Sequence, residues 1–251
     1  MKPEVITATI AAGVAVISAI ISIYGQIRVT RLTDQLAKQR DTQSRQAQTA
    51  AVMSKYKNPL LRSAIDLQSR LYNIHQQSFL EYFYSQSQSA RDYAITNTLY
   101  VVAEYLGWIE ILRREIQFLE LGDSELNRNL STLLVSSNQA FGSDRQGGSV
   151  FQLYTGEQRA IGEIMTFTRN RGGISSYDCI GYALFVKKMR DPEFASWFAK
   201  LKGDIETLAT EPETDAARLV LVHSRLIDII DFFDPHNVVV PPKYRTRIEL
   251  R

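Results

Sequence analysis

Val5 to Tyr24 (VITATIAAGVAVISAIISIY) runs twenty residues without a charged side chain, and this stretch constrains the chain more than any other feature. As a helix rising about 1.5 Å per residue it reaches about 30 Å, the thickness of a bilayer's hydrocarbon core. Two other readings compete: a cleaved signal peptide and a buried core helix. A signal peptide carries a shorter apolar stretch, about 7–15 residues, behind a basic start. Here the start is Met1-Lys2-Pro3-Glu4, which is nearly neutral. A core helix seldom stays apolar all round for so long. The segment therefore reads as a transmembrane anchor. Lys and Arg beside an anchor resist translocation, and Arg28, Arg31, Lys38 and Arg40 all follow it, against Lys2 before it. That asymmetry predicts a single pass through the inner (cell) membrane, with the C-terminal body cytoplasmic.

Within the anchor, Thr7, Ala11, Ala15 and Ala19 recur every fourth residue. Small residues at that spacing let helices approach closely in lipid, so the stripe is a candidate for self-association. The competing view is that such residues are common in any anchor. Residues 25–57 contain no proline and read as a helical stalk with a weak apolar seam at Val29, Leu32 and Leu36. Arg28, Arg31, Lys38 and Arg40 each gain about 1 kcal/mol beside an anionic leaflet if they lie close to it; otherwise the stalk is a solvated spacer.

Charge placement narrows the partners. The formal net charge is +2, yet residues 1–57 hold eight Lys/Arg against three acidic residues, leaving the rest net acidic. Nucleic-acid binders carry the basic surplus on the folded domain, so membrane lipid is the expected partner and nucleic acid is not. The single cysteine, Cys179, has no second cysteine in the chain to form a disulfide with.

Hydropathy and punctuation then predict an all-α body: the transmembrane helix, the stalk, and a cytoplasmic bundle of about seven helices. The domain expectation is 1–24 anchor, 25–57 stalk, 58–242 helical domain and 243–251 basic tail. Asn58-Pro59 reads as a helix start running to about Tyr84. Further helices are expected over about 92–121, 123–141, 155–168, 179–189, 191–209 and 212–233. Thr155-Gly-Glu-Gln158 fits a capping box. Loops are expected at 142–149 and 169–176, the latter centred on Gly172-Gly173, with a brief extended piece at 150–154. Pro241-Pro242 is expected to release the tail.

A few polar residues fall on apolar faces. Gln68, His75 and Ser78 sit within the face marked by Leu61, Ala64, Leu71 and Phe79, and His223 sits inside the stripe Leu219, Val222, Leu226, Ile230. Two histidines raise a metal or proton-switch reading, but no ligand spacing supports it, and burial satisfied by a neighbouring hydrogen bond is the preferred account. Glu104, Trp108, Ile111 and Glu115 share one stripe. The carboxylates are about 16 Å apart along a helix, too far to share one scissile bond, so arginines (Arg62, Arg70 or Arg159) are expected to meet them. Arg159 and Glu163 are spaced to pair, and Gly156 and Gly162 suggest close helix approach. Asp228, Asp231 and Asp234 read as a solvated face partly paired with Arg225. Neither a nucleophile elbow nor a phosphate loop is present, so no cofactor, metal or catalytic residue is expected.

The segments NPLLRSAIDLQSRLYNI (58–74), YLGWIEILRREIQFL (105–119) and GEQRAIGEIM (156–165) resemble those of uncharacterised bacterial membrane-anchored helical proteins. The resemblance implies a shared fold over about 58–240 and no chemistry. The leading functional expectation is a membrane-tethered interaction or scaffold module that binds a protein or small ligand at the cytoplasmic face. A ligand-gated oligomeric membrane effector is the alternative, and a membrane-bound enzyme using Glu104, Arg159 and His75 is the third.

Overall fold

The computed structural model describes residues 3–118, 125–145, 149–171, 174–211 and 216–249. Side chains are described for most of these, the exceptions being 3–12, 15–16, 48–50, 52–53, 116–118, 125–127, 171 and 174. The protein is mostly helical. The chain divides into two compact units, Met1–Ala50 and Ala51–Arg251.

Helix α1 (Pro3–Gln76) is continuous, which corrects the expected helix start at Asn58-Pro59. Proline inside a helix removes a hydrogen bond and crowds the preceding turn, a cost of about 3 kcal/mol. Packing on both sides of Pro59 offsets that cost. Tyr56 before it is buried and donates its hydroxyl to Glu115 at 2.7 Å, and Leu60, Leu61, Ala64, Leu67 and Leu71 after it are fully buried. The sequence-derived face of Leu61, Ala64 and Leu71 is thus part of the core. The first unit differs. From residue 17 to residue 47 every side chain is exposed, including Ile20, Ile21, Ile23, Tyr24 and Leu32.

The expected run to Tyr84 is broken. Ser78 adopts a left-handed conformation (φ 47°), and a separate short helix α2 (Phe79–Tyr84) follows. Helix α3 (Gln88–Phe118) is the central element. It buries Leu99, Val102, Ala103, Tyr105, Leu106, Ile109, Ile111 and Leu112, too many to fit one face, because neighbours pack around it. The expected end of this helix near residue 121 and the expected start of the next at 123 lie outside the described residues. Helix α4 (Glu125–Gly142) follows. The piece 150–154 forms a turn rather than a strand, with Phe151 left-handed (φ 61°) and buried, its N–H donating to Asp204. Helix α5 (Thr155–Met165) is preceded by Tyr154 as its cap residue, whose N–H donates to Glu157 at 2.7 Å. The capping pair is therefore shifted one residue from the expected Thr155 and Gln158. Gln158 instead turns inward and donates to the carbonyls of Leu153 and Asn138.

The all-α expectation needs one larger correction. Strands β1 (Thr166–Arg171) and β2 (Ile174–Cys179) form an antiparallel hairpin, with Thr166 opposite Cys179 and Arg171 opposite Ile174. This replaces the end of the expected 155–168 helix, the loop at 169–176 and the start of the expected 179–189 helix. Exactly two residues separate the strands, Gly172-Gly173, which lie outside the described set. Gly-Gly between β-prone runs is a hairpin signal. Arg169 reaches Asp178 across the ladder at 2.6 Å.

Helices α6 (Tyr182–Lys188), α7 (Pro192–Ser196) and α8 (Ala199–Thr210) complete this side. Asp191 caps α7 as its position before Pro192 implies, accepting from the Glu193 N–H at 3.0 Å. The single helix expected over 191–209 is split at Trp197-Phe198. Phe198 is drawn into an aromatic cluster with Phe185 and Phe194, their ring centroids 5.3–5.8 Å apart. Helix α9 (Ala217–Phe233) is buried along most of its length. Its expected opening at Pro212–Thr214 lies outside the described residues.

The tail is docked rather than released. A 3-10 turn (Pro242–Tyr244) leads to Arg245, which pairs with Asp234 at 2.5 Å and Asp231 at 2.8 Å, while Arg247 pairs with Asp228 at 2.7 Å. The Asp228, Asp231, Asp234 row is therefore the anchor of the tail as well as the partner of Arg225. Asp234 also accepts the N–H groups of Val238, Val239 and Val240. Burial alone would raise its carboxyl, but those three donors and Arg245 hold it below the usual range.

Candidate functional site

Gln68 and His223, read from sequence as polar interruptions of two apolar faces, meet each other. The Gln68 amide donates to His223 Nε2 at 2.9 Å and to the Tyr244 carbonyl at 3.3 Å. Because the amide nitrogen serves both acceptors, the neutral imidazole carries its proton on Nδ1. Among the described residues Nδ1 has no hydrogen-bond partner, although His223 is wholly buried. Burial, with smaller contributions from Arg247 and His75, pushes the imidazole down to about 4. The histidine is thus neutral near pH 7 and joins α1, α9 and the tail. In front of Gln68 lies a cavity of about 510 Å³ bounded by Tyr72, Asn73, Gln77, Lys243 and Tyr244.

Glu104 and Trp108 form a second constellation. They are one helical turn apart on α3 and line a cavity of about 540 Å³ with Asn58, Pro59, Leu61 and Arg62 from α1. Val239 borders both cavities. Burial pushes the Glu104 carboxyl above its usual range; the Tyr100 hydroxyl beside it partly offsets that, and the charge on Asp66 adds to it. The expected arginine partner is absent among the described contacts of Glu104. Glu115 likewise takes the Tyr56 hydroxyl rather than an arginine. Tyr56 in turn stacks near Trp108, 6.5 Å between centroids.

The α3 carboxylate found with two arginines is Glu110, which the sequence reading passed over. It is 3% exposed and takes Arg113 and Arg114 at 2.6 and 2.7 Å. Burial raises its carboxyl, and the two guanidiniums more than reverse this. Arg114 also reaches Glu163 at 3.4 Å, the pair found there in place of Arg159–Glu163. Arg159 is exposed on α5. Gly162 does mark a close approach: a Cβ there would lie 2.8 Å from the Leu106 carbonyl and from Glu110 Cβ. Gly156 has open space around it, contrary to expectation.

His75 sits near the end of α1, its Nδ1 3.2 Å from the Gln76 amide. Neither His75 nor Arg159 lines the Glu104 cavity, so the trio proposed for an enzyme does not share it. Burial, chiefly, raises the Cys179 thiol, which leaves it a poor nucleophile. Arg218 is the other residue sequence reasoning missed. It is 1% exposed and donates to the carbonyls of Ala140, Phe141 and Ser143, closing the C-terminus of α4. A cation at that end also meets the helix dipole favourably.

Among the described residues no group of His, Cys, Asp and Glu is placed to hold a metal ion. Among them, too, no helix is long and apolar enough to cross a membrane; of the window 5–24, the side chains of 5–12, 15 and 16 lie outside the described set. In the small-residue stripe this leaves Ala19, which is exposed, while Thr7, Ala11 and Ala15 lie outside. Arg28, Arg31, Lys38 and Arg40 are all exposed. No family model, curated protein or solved structure matches the chain.

Proposed function

We propose that this protein is a membrane-tethered binding module: the window 5–24 lodges in the inner membrane, and the body from residue 51 onward binds a small ligand or a protein at the cytoplasmic face. The observation that carries this is the first unit of α1. Val14, Ile17, Ile20, Ile21 and Ile23 are each 57–67% exposed. Leaving such side chains in water forgoes up to about 1.5–3 kcal/mol apiece, so an apolar surrounding would stabilise this helix. Lipid fits, since the uncharged stretch has the length of a bilayer core and the exposed cations Arg28, Arg31, Lys38 and Arg40 follow it. The body supports the binding half of the reading with two cavities whose volumes lie in the range usual for small ligands.

The test is fractionation. Full-length protein is expected in membranes after alkaline carbonate washing, and a chain lacking residues 1–24 in the soluble fraction. Inverted vesicles should expose the body to added protease, and right-side-out vesicles should protect it. Full-length protein released by carbonate would sink the tether, and the opposite protection pattern would sink the orientation.

A further inference from the structure

We propose that the cavity between Glu104 and Trp108 binds an organic ammonium group, primary or quaternary. The inference rests on the reading of the body as a ligand-binding module and names the chemistry of one of its sites. Glu104 is a half-buried carboxylate whose nearest partner, the Tyr100 hydroxyl, is neutral. Of the arginines expected to meet it, Arg70 is engaged elsewhere, on Asn97 and over the Phe79 ring, 3.9 Å from its centroid, and Arg159 does not line the cavity. Arg62 lines the cavity, but its electrostatic partner is Asp66. Glu104 and Asp66 against Arg62 leave one net negative charge at the cavity. Trp108 lines it one turn along the helix, and an indole face attracts cations more strongly than any other side-chain ring. Pro59, Leu61 and Val239 supply apolar wall for methyl or methylene groups. A carboxylate, an indole and aliphatic walls around one cavity suit a cation that carries its charge on a small hydrocarbon body. A bare metal ion would demand more oxygen ligands.

Two sources offer this chemistry: a soluble amine, or the ethanolamine or choline headgroup of a lipid. The experiment uses the full-length chain with Trp197→Phe, which leaves Trp108 as the sole indole, in nanodiscs of phosphatidylglycerol that contain no amine. Choline, butylamine and the uncharged choline isostere 3,3-dimethylbutanol are titrated while Trp108 emission is read. Saturable quenching or a spectral shift by choline or butylamine is expected, with the neutral isostere roughly tenfold weaker or worse. Glu104→Gln should weaken the ammonium by a similar factor while leaving the response to the isostere unchanged. If rebuilding the discs with phosphatidylethanolamine or phosphatidylcholine reproduces the spectral change and blocks free amine, the headgroup is the source; if free amine still titrates, the soluble amine is. Equal binding of the isostere, or no response to either ammonium in any disc, overturns the proposal without requiring the Glu104 variant to fold. Carbonate extraction of the same protein reports separately on the tether, so either reading can fail alone.

Discussion

Two stretches of one helix behave oppositely. Between residues 17 and 47 the side chains of helix α1 are exposed, whereas between Tyr56 and Leu71 it contributes six of the most buried side chains in the core. The backbone hydrogen bonding is the same in both. What differs is where the apolar side chains find cover, and that decides which substitutions matter. In the body, α1 is held by tertiary packing, which supplies most helix stability in proteins. In the first unit it has only local propensity until something else covers it.

The largest break in this comparison comes from truncating core and exposed leucines. Leu67→Ala should cost the body about 3 kcal/mol in denaturant unfolding, within the range for a buried leucine. Leu32→Ala, at a site 56% exposed, should leave the same transition unmoved. A large effect of Leu32→Ala on the body would show that the first unit has cover within the fold after all. Glycines give the next contrast. Gly162→Ala should destabilise by about 2 kcal/mol, because its new methyl meets the Leu106 carbonyl and Glu110 Cβ at 2.8 Å. Gly25→Ala has open space and should gain up to about 1 kcal/mol of local helix stability, read by amide exchange.

The smallest effect sharpens the comparison through pH. His223 has its folded pKa lowered from 6.5 to about 4, so the unfolded chain takes up the proton first as pH falls. Stability from keeping this imidazole neutral is present above 6.5 and is lost as pH drops toward 4. Between pH 7 and pH 5 the body should lose about 1–2 kcal/mol, and His223→Gln should remove that slope. Helicity of the first unit should not follow it.

Periodicity and punctuation made much of this fold legible. The face Leu61, Ala64, Leu71 and the stripe around His223 are buried, Asp191-Pro192 does open a helix, and Gly162 does mark a close contact. The hairpin was legible in part: Gly172-Gly173 between threonine- and tyrosine-containing runs is a hairpin signal, but the apolar residues of 161–167 also fit a longer helix. The Gln68–His223 pair was half legible. Each residue stood out as polar on an apolar face, and nothing local linked positions 155 residues apart. The arginine partners were misassigned for the same reason. Spacing ranked Glu104 and Glu115 together, whereas Glu110, between them on the same helix, is where the guanidiniums converge.

The sequence by itself determined the local matters: that the chain is mostly helical, which faces are apolar, and that one uncharged stretch of bilayer length is followed by a basic flank. These follow from interactions between residues a few positions apart, or from simple counts. Only the tertiary structure decided that the helix continues through Pro59, that the basic tail docks on Asp228, Asp231 and Asp234, and that Glu104 and Trp108 share one cavity with residues of α1. Each of those outcomes depends on distant side chains meeting in space, where burial and charge pairing outweigh the local preference of the chain.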